Sequence, residues 1–263
     1  MAGPKDAGGW PFVEEVVFQD EVVSTSDLAR DLASNGRLRL PAAVHAARQT
    51  RGRGRGTNAW WSDEGSLTAT LILDPAAHGL RLDHQPRVAL AVAVAVAEAV
   101  EGLGRTSAPV QIRWPNDVEA GGRKLAGILP ERIEVPEPRL LIGVGVNVST
   151  RLDEAPPEVR GMSTSLNELL PEAAQPLPSP SGFLRRFLLR LEKTLPRLAA
   201  DDPKLAEHWS VRDSLLGETV RVNLGNRVAT GVGRGIDAEG ALLLDTGGET
   251  LRVFGGQVLR GPG

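Results

Sequence analysis

Gln49-Thr50-Arg51-Gly52-Arg53-Gly54-Arg55-Gly56-Thr57-Asn58-Ala59-Trp60-Trp61 is the stretch on which the reading of this chain turns. Three arginines alternate with three glycines, and two tryptophans lead into the alternating segment Leu67-Thr68-Ala69-Thr70-Leu71-Ile72-Leu73. Arginine presents a rigid fork of donors matched to carboxylate and phosphate. Glycine lets the backbone approach an anion and fold around it, and an aromatic pair supplies an apolar wall or a stacking face. The run predicts capture of an anion beside a ring system, on a loop wedged between two strands.

The rest of the composition narrows the classes that fit. A chain of 263 residues can bury a full core and leave room for a small second domain. Its net charge of −3 and pI near 5.9 argue against a general polyanion binder, so the arginine cluster is a local device. With no cysteine there is no disulfide framework, thiol nucleophile or thiolate metal site. His45, His78, His84 and His208 are scattered without metal-ligand spacing. The N-terminus has no basic-then-apolar signal pattern. The apolar stretch Val88–Val100 is too short to span a bilayer and carries Glu98. These features predict a cytoplasmic protein with no membrane partner.

Working outward from the arginine run, strands and helices alternate. Val13–Phe18 reads as a strand; Ser24-Thr25-Ser26-Asp27 starts a helix with a hydroxyl cap, ended by Asn35-Gly36. Ala42–Ala47 reads as a strand feeding the loop. Val88–Val100 alternates Val and Ala as a strand does, but its length, alanine content and the following Glu101 favour a buried helix. Val110–Trp114, stopped by Pro115, then Lys124–Leu129 and Arg139–Val148 read as strands. Ser163-Thr164-Ser165 caps a short helix through Asn167–Leu170, and the four prolines of Pro171–Ser181 mark a surface loop. Phe183–Leu195 is an amphipathic helix with arginines on its wet side. From Ser214 short strands joined by turns at 224–227, 237–240 and 246–249 fit a small β-barrel appended to an α/β body.

Two further segments carry chemistry. Arg113-Trp114-Pro115-Asn116-Asp117-Val118 is followed by the Gly121-Gly122 turn and Arg123-Lys124-Leu125-Ala126-Gly127-Ile128-Leu129. Lys124 is one of only four lysines beside 26 arginines. It reads either as a point charge for phosphate or carboxylate, or as a surface lysine beside a hairpin. Leu141-Ile142-Gly143-Val144-Gly145-Val146-Asn147-Val148 is a buried strand whose glycines allow close approach of a ligand or backbone. Asn147 reads equally as a structural turn residue or a ligand contact. No Gly-Lys dipeptide exists, so there is no Walker A loop. Gly54-x-Gly56-x-x-Ala59 and Gly233-x-Gly235-x-x-Ala238 both fit the loose dinucleotide pattern, but neither lies between a strand and a helix.

Taken in order, several segments resemble the biotin–protein ligase family. They are Gln49 with Gly52-Arg53-Gly54-Arg55 and Trp60; Trp114-Pro115-Asn116-Asp117; Arg123-Lys124-Leu125-Ala126-Gly127-Ile128-Leu129; and Gly143-Val144-Gly145-Val146-Asn147. Ser24-Thr25-Ser26 resembles the family's Ser-Thr-Asn element. Gly233–Asp237, Gly240–Leu244, Gly255-Gly256 and Arg260 resemble its C-terminal domain. The resemblance implies an α+β (α/β) fold: a mixed-sheet catalytic domain of the biotin/lipoate ligase type, like class II aminoacyl-tRNA synthetases, over residues 1–213, and an SH3-like barrel over 214–263. It implies activation of biotin by ATP with Mg²⁺ to biotinyl-5′-AMP, then transfer to a lysine of a biotin carboxyl carrier protein or domain.

By the same resemblance Lys124, Arg53 and Arg55 are the catalytic cations. Ser24, Thr25, Ser26, Gln49, Arg53, Gly54, Arg55, Lys124 and Gly127 contact biotin. Arg55, Trp60, Trp61, Asn116, Asp117, Asn147 and Arg260 contact ATP or the adenylate, and the protein itself supplies no metal site. Thr57-Asn58-Ala59 departs from the family's Gly-Arg-x, removing one loop cation; Arg113 stands for lysine, Gln257 for glutamate and Ser26 for asparagine. The 23 residues before Ser24 are too few for a winged helix-turn-helix, so specific DNA binding is not expected, and homodimerisation is left open. The rival readings are a lipoate–protein ligase and a non-catalytic, polyanion-binding module using the arginine loop.

Overall fold

The computed structural model describes residues 9–36, 38–81, 84–134, 137–172 and 176–259. Arg260, expected at the nucleotide, lies outside them. The first part of the chain forms β1 (Glu15–Val22), α1 (Thr25–Ser34), β2 (Ala42–Gln49), the short β3 (Gly52–Arg53) and β4 (Ala59–Trp60), β5 (Ser66–Leu73) and α2 (Gln85–Glu101). Then come β6 (Val110–Arg113), β7 (Asp117–Ala120), β8 (Arg123–Ile133) and β9 (Arg139–Asn147). Helices α3 (Pro157–Arg160), α4 (Leu166–Leu169), α5 (Pro180–Ala199) and α6 (Pro203–Ser210) follow. The chain closes with β10 (Thr219–Asn223), β11 (Val228–Ile236), β12 (Leu242–Asp245), β13 (Thr250–Val253) and β14 (Gln257–Val258).

The main sheet has seven strands in the order β1-β2-β5-β9-β8-β7-β6, with β1–β2 parallel and the other pairs antiparallel. Its two faces follow from the period of two along each strand. In β9, Leu140, Ile142, Val144 and Val146 join the large core with α2 and α5, whereas Leu141 packs with Ala29 and Ala33 of α1. Helix α2 is apolar all round because the sheet covers one side and α5 another, and Val88 through Ala97 are all buried. Each fully buried Val or Leu there stabilises the fold by about 1.5–3 kcal/mol.

α1 covers only one end of its face. Register pairs Gly127 with Gly145 and Leu129 with Gly143, and Thr68 and Thr70 of β5 continue the same two rows. The result is a patch of the α1 face floored by three glycines, Gly127, Gly143 and Gly145, and bordered by Thr68, Thr70 and Leu129.

Several local expectations need correction. The first strand is Glu15–Val22, shifted towards the C-terminus from 13–18. Ser24 stands at the N-cap of α1 but makes no side-chain cap; the Thr25 amide donates instead to Oε1 of Gln49, 2.7 Å away. Ser165 likewise precedes α4 without a side-chain cap bond, and that helix spans Leu166–Leu169. α5 begins at Pro180, inside the segment expected to be loop, with the Ser179 hydroxyl accepting from the Gly182 amide. The arginine–glycine run is not a plain loop but the tight β3–β4 hairpin. Gly52 is required in it, since a Cβ there would lie 2.5 Å from the Trp60 carbonyl oxygen.

The C-terminal strands form a five-stranded antiparallel sheet, β13-β12-β11-β10-β14, with turns near the expected positions; no pairing joins β13 to β14 among the described residues. It is fastened to the main sheet. The Ile112 amide donates to Arg212 O at 2.7 Å and Ser214 N donates to Ile112 O at 3.1 Å, while Trp114 Nε1 donates to Gly240 O at 3.1 Å. Asp213 sits in this junction, 9% exposed, with Oδ1 accepting from Leu215 N and Oδ2 without a hydrogen bond.

Burial raises the Asp213 pKa to about 6, against the opposing Leu215 hydrogen bond. A carboxyl whose folded pKa is raised favours the native state when protonated. That advantage is complete below about pH 4 and is lost as pH rises through 6. Asp213→Asn is therefore expected to gain stability over the parent progressively from pH 4 to 6, by up to about 3 kcal/mol at neutral pH. Urea unfolding at both pH values checks it, and a pH-independent difference counts against it.

Candidate functional site

The glycine patch of the sheet is the floor of a cavity. Its walls are Thr25 and Ser26 from α1, Gln49 from β2, the hairpin residues Arg53, Gly54, Arg55 and Trp60, and Asn116, Lys124, Gly127, Gly143 and Gly145. α1 delivers its N-terminal hydroxyls because β1 runs directly into it. Thr25 Oγ1 donates to Gln49 Oε1 at 3.1 Å and meets Thr70 Oγ1 at 2.9 Å, and Ser26 Oγ meets the same Thr70 hydroxyl at 3.2 Å. This buried hydroxyl–amide chain can turn its rotors to donate or accept, which suits a neutral polar ring.

The cations lie towards the opposite end. Lys124 follows the Gly121-Gly122 turn, where both φ values are positive (58° and 71°) as the hairpin expectation required. Its ammonium is 2.6 Å from Asp117 Oδ1 and 5.7 Å from the centre of the Trp60 ring. Lys124 and Asp117 form a close, partly buried ion pair. Arg53 Nη1 is 2.9 Å from Asp27 Oδ1, and its Nη2 contacts Glu131 Oε1. Burial disfavours the Arg53 charge, but the two carboxylates outweigh it and raise the guanidinium pKa. Arg55 donates to the Gly256 carbonyl of the C-terminal sheet; burial lowers its pKa, opposed by the charge of Asp117.

A second cleft, about 380 Å³, opens from the first between the main sheet and the C-terminal segment. Gly54, Arg55, Trp60, Asn116 and Lys124 line both spaces; Asp117, Arg113, Met162, Gln257, Val258 and Leu259 are among the residues that line this one alone. Its size suits a nucleotide-sized ligand. Arg113 Nη2 donates to Leu259 O at 3.3 Å across it.

Not every candidate from the sequence reaches these walls. Ser24 is buried, borders neither space, and its hydroxyl has no hydrogen-bond partner. Trp61 borders neither. Asn147 is buried and gives its amide to Thr164 O at 3.0 Å and Lys124 O at 3.4 Å, so it anchors the strand that carries Lys124. Sequence reading passed over Asp27, Glu131 and the Gly256 carbonyl, which hold the loop arginines. Two acids far from the arginine run in sequence gave no signal, because only the sheet register and the start of α1 bring them to it.

Comparison with known proteins agrees with this geometry. Residues 21–147 match the Biotin/lipoate A/B protein ligase family, and residues 215–259 match the biotin protein ligase C-terminal domain. The chain is 35% identical over 258 residues to the biotin–[acetyl-CoA-carboxylase] ligase of Mycobacterium tuberculosis, covering 95% of this chain and 90% of that one. It is 31% identical over 250 residues to the bifunctional ligase/repressor BirA of Bacillus subtilis, covering 93% of this chain and 74% of the relative. The solved structure of the Aquifex aeolicus biotin protein ligase in complex with biotin and ATP superposes with a TM-score of 0.76 at 28% identity, covering 94% of this chain and 98% of that one. With a glycine-floored cavity, a set of converging cations and a matching C-terminal sheet in one chain, the protein belongs to the biotin protein ligase family.

Proposed function

We propose that residues 1–213 form the catalytic unit and 214–263 the appended domain of an enzyme that joins biotin to a carrier protein in two steps. In the first, a biotin carboxylate oxygen bonds to the α-phosphorus of ATP and pyrophosphate departs. In the second, a carrier lysine amine attacks the carbonyl carbon of the mixed anhydride, losing a proton as AMP leaves. The observation that carries this reading is the joining of the two spaces at Arg55, Asn116 and Lys124, with hydroxyls at one end and cations at the junction.

In this reading the ring of biotin rests on Gly127, Gly143 and Gly145, and Thr25, Ser26 and Gln49 bind its polar edge. Its carboxylate then points to the junction. Lys124 and Arg53 stabilise charge growing on the α-phosphate. Arg55, tied to Gly256, closes over the adenylate and shields the anhydride from water. Asn116, Asp117 and the Trp60 face bound the nucleotide space. Mg²⁺ enters as a substrate, carried by the nucleotide phosphates. The acceptor is a carrier protein or domain of a biotin-dependent carboxylase, and the cytoplasm is the proposed location. No described helix is long and apolar enough to cross a membrane.

Pyrophosphate release with MgATP and biotin, lipoate or neither acid, followed by mass spectrometry of the product, tests the reading; biotinyl-AMP formed only with biotin supports it. Turnover with lipoate alone moves the assignment to the lipoate ligases. Lys124→Ala is expected to slow single-turnover adenylation about 10²- to 10³-fold, by loss of a fixed cation at the reacting phosphate, with unfolding unchanged. An unaltered rate in the folded variant contradicts the role. Arg55→Gly is expected to release the adenylate about 10- to 100-fold faster, measured by chasing preformed intermediate with unlabelled biotin; release at the parent rate removes Arg55 from that role.

A further inference from the structure

A further cavity of about 380 Å³ lies where α2, the α5–α6 corner and the C-terminal sheet meet. Leu90, Leu198 and Trp209, each no more than 4% exposed, line it together with Leu205 and Ile236. Ile236, Asp237 and Ala238 come from the end of β11 and the turn after it, so neither part of the chain forms the cavity alone. None of its residues lines the two spaces described above. Its buried polar groups are one-sided. Trp209 is 1% exposed, yet its indole Nε1 has no acceptor among the described residues. Arg87 Nε is buried in the same condition, although Arg87 Nη2 donates to Asp201 Oδ1 at 2.6 Å. Both of these groups are donors, and burying a donor without an acceptor is unfavourable. The carboxylates beside them are committed elsewhere. Asp201 Oδ2 accepts from Arg81 at 3.1 Å, Asp202 accepts from the Lys204 amide and pairs with Arg197 at 3.9 Å, and Asp237 accepts from Arg252 and two amides of its own turn.

We propose that this junction cavity is a second ligand site, for an uncharged, largely apolar molecule of one or two rings whose acceptor atom takes the Trp209 indole N–H. The volume falls within the range of small-molecule sites, and the apolar walls supply the non-directional part of the binding. The lone donor sets the orientation. Charge is not called for: three aspartates and two arginines line the cavity, which disfavours an anion, and the ion pairs of the aspartates leave no carboxylate waiting for a cation. A ligand resting on Ile236 and Ala238 also braces the C-terminal sheet against the helices. The turn that begins at Asp237 ends at Gly240, the residue whose carbonyl accepts from Trp114 Nε1. Occupation of the cavity therefore stabilises the junction between the two parts of the chain, independently of what the catalytic site binds.

The test titrates the full chain with two probes of the same shape, followed by ligand-detected NMR at neutral pH. Quinoline is uncharged there and carries one ring nitrogen as acceptor; naphthalene carries none. The parent is expected to bind quinoline about five- to tenfold more tightly than naphthalene, the effect of one buried hydrogen bond. Trp209→Phe keeps an aromatic ring and removes the N–H, so it should bring the two affinities together. Ala238→Phe fills the mouth from an exposed position outside the core and should remove binding of both probes, together with the rise in unfolding temperature that quinoline gives the parent. Binding of neither probe by the parent overturns the site, as does equal binding of the two. A preference for quinoline that survives Trp209→Phe removes the indole from its role. Undiminished binding to folded Ala238→Phe places the probes elsewhere and overturns the proposal.

Discussion

A patch of sheet floored by three glycines governs everything built around it. Gly127, Gly143 and Gly145 share one face of β8 and β9, where the alternation of a buried strand would otherwise place branched residues. On the opposite face the same strands keep Ile142, Val144 and Val146 in the main core, so the sheet is held from below while its upper surface is floored by glycine. α1 covers one end of that surface with Ala29 and Ala33 and presents hydroxyls at its N-terminus. A ring, whether from a ligand or from Trp60, can lie there against peptide planes. A methyl group at Gly145 would collide with it.

The electrostatics of the site follow from the same geometry. The hairpin places its arginines at the border of the glycine strip. Their partners come from three directions: Asp27 from α1, Glu131 from β8 and Gly256 from the C-terminal sheet. The C-terminal sheet is therefore part of the site rather than an ornament on it, since it supplies a carbonyl to Arg55, accepts from Arg113 and Trp114, and forms one wall of the nucleotide-sized cleft.

Much of this was legible in the sequence, for reasons that differ by element. Strands β2, β6, β8 and β9 were readable from their apolar runs, although β8 continues through Pro130 to Ile133, beyond the Leu129 end read from the sequence, and α2 was readable because its length excludes a strand. The Gly121-Gly122 hairpin was readable because two positive φ values demand glycine. Ser24 and Ser165 were read as caps on composition, yet at Ser24 the neighbouring Gln49 side chain takes the amide next door, a contact between residues 24 positions apart that no local pattern encodes. The arginine run declared its chemistry but not its shape, since a hairpin of two residues per strand is set by Gly52 packing on Trp60. Asn147 read equally as a structural residue or a ligand contact; its amide bonds the backbone at Lys124 and Thr164, which no local pattern encodes.

The central claim is that the glycine patch beside the arginine hairpin is the ligand's seat. A crystal structure of the chain with biotin bound tests it most directly. The account predicts the bicyclic ring against Gly127, Gly143 and Gly145, its polar edge on Thr25, Ser26 and Gln49, and its carboxylate towards Lys124. Biotin found elsewhere, or lying there with its carboxylate turned away from Lys124, would contradict it.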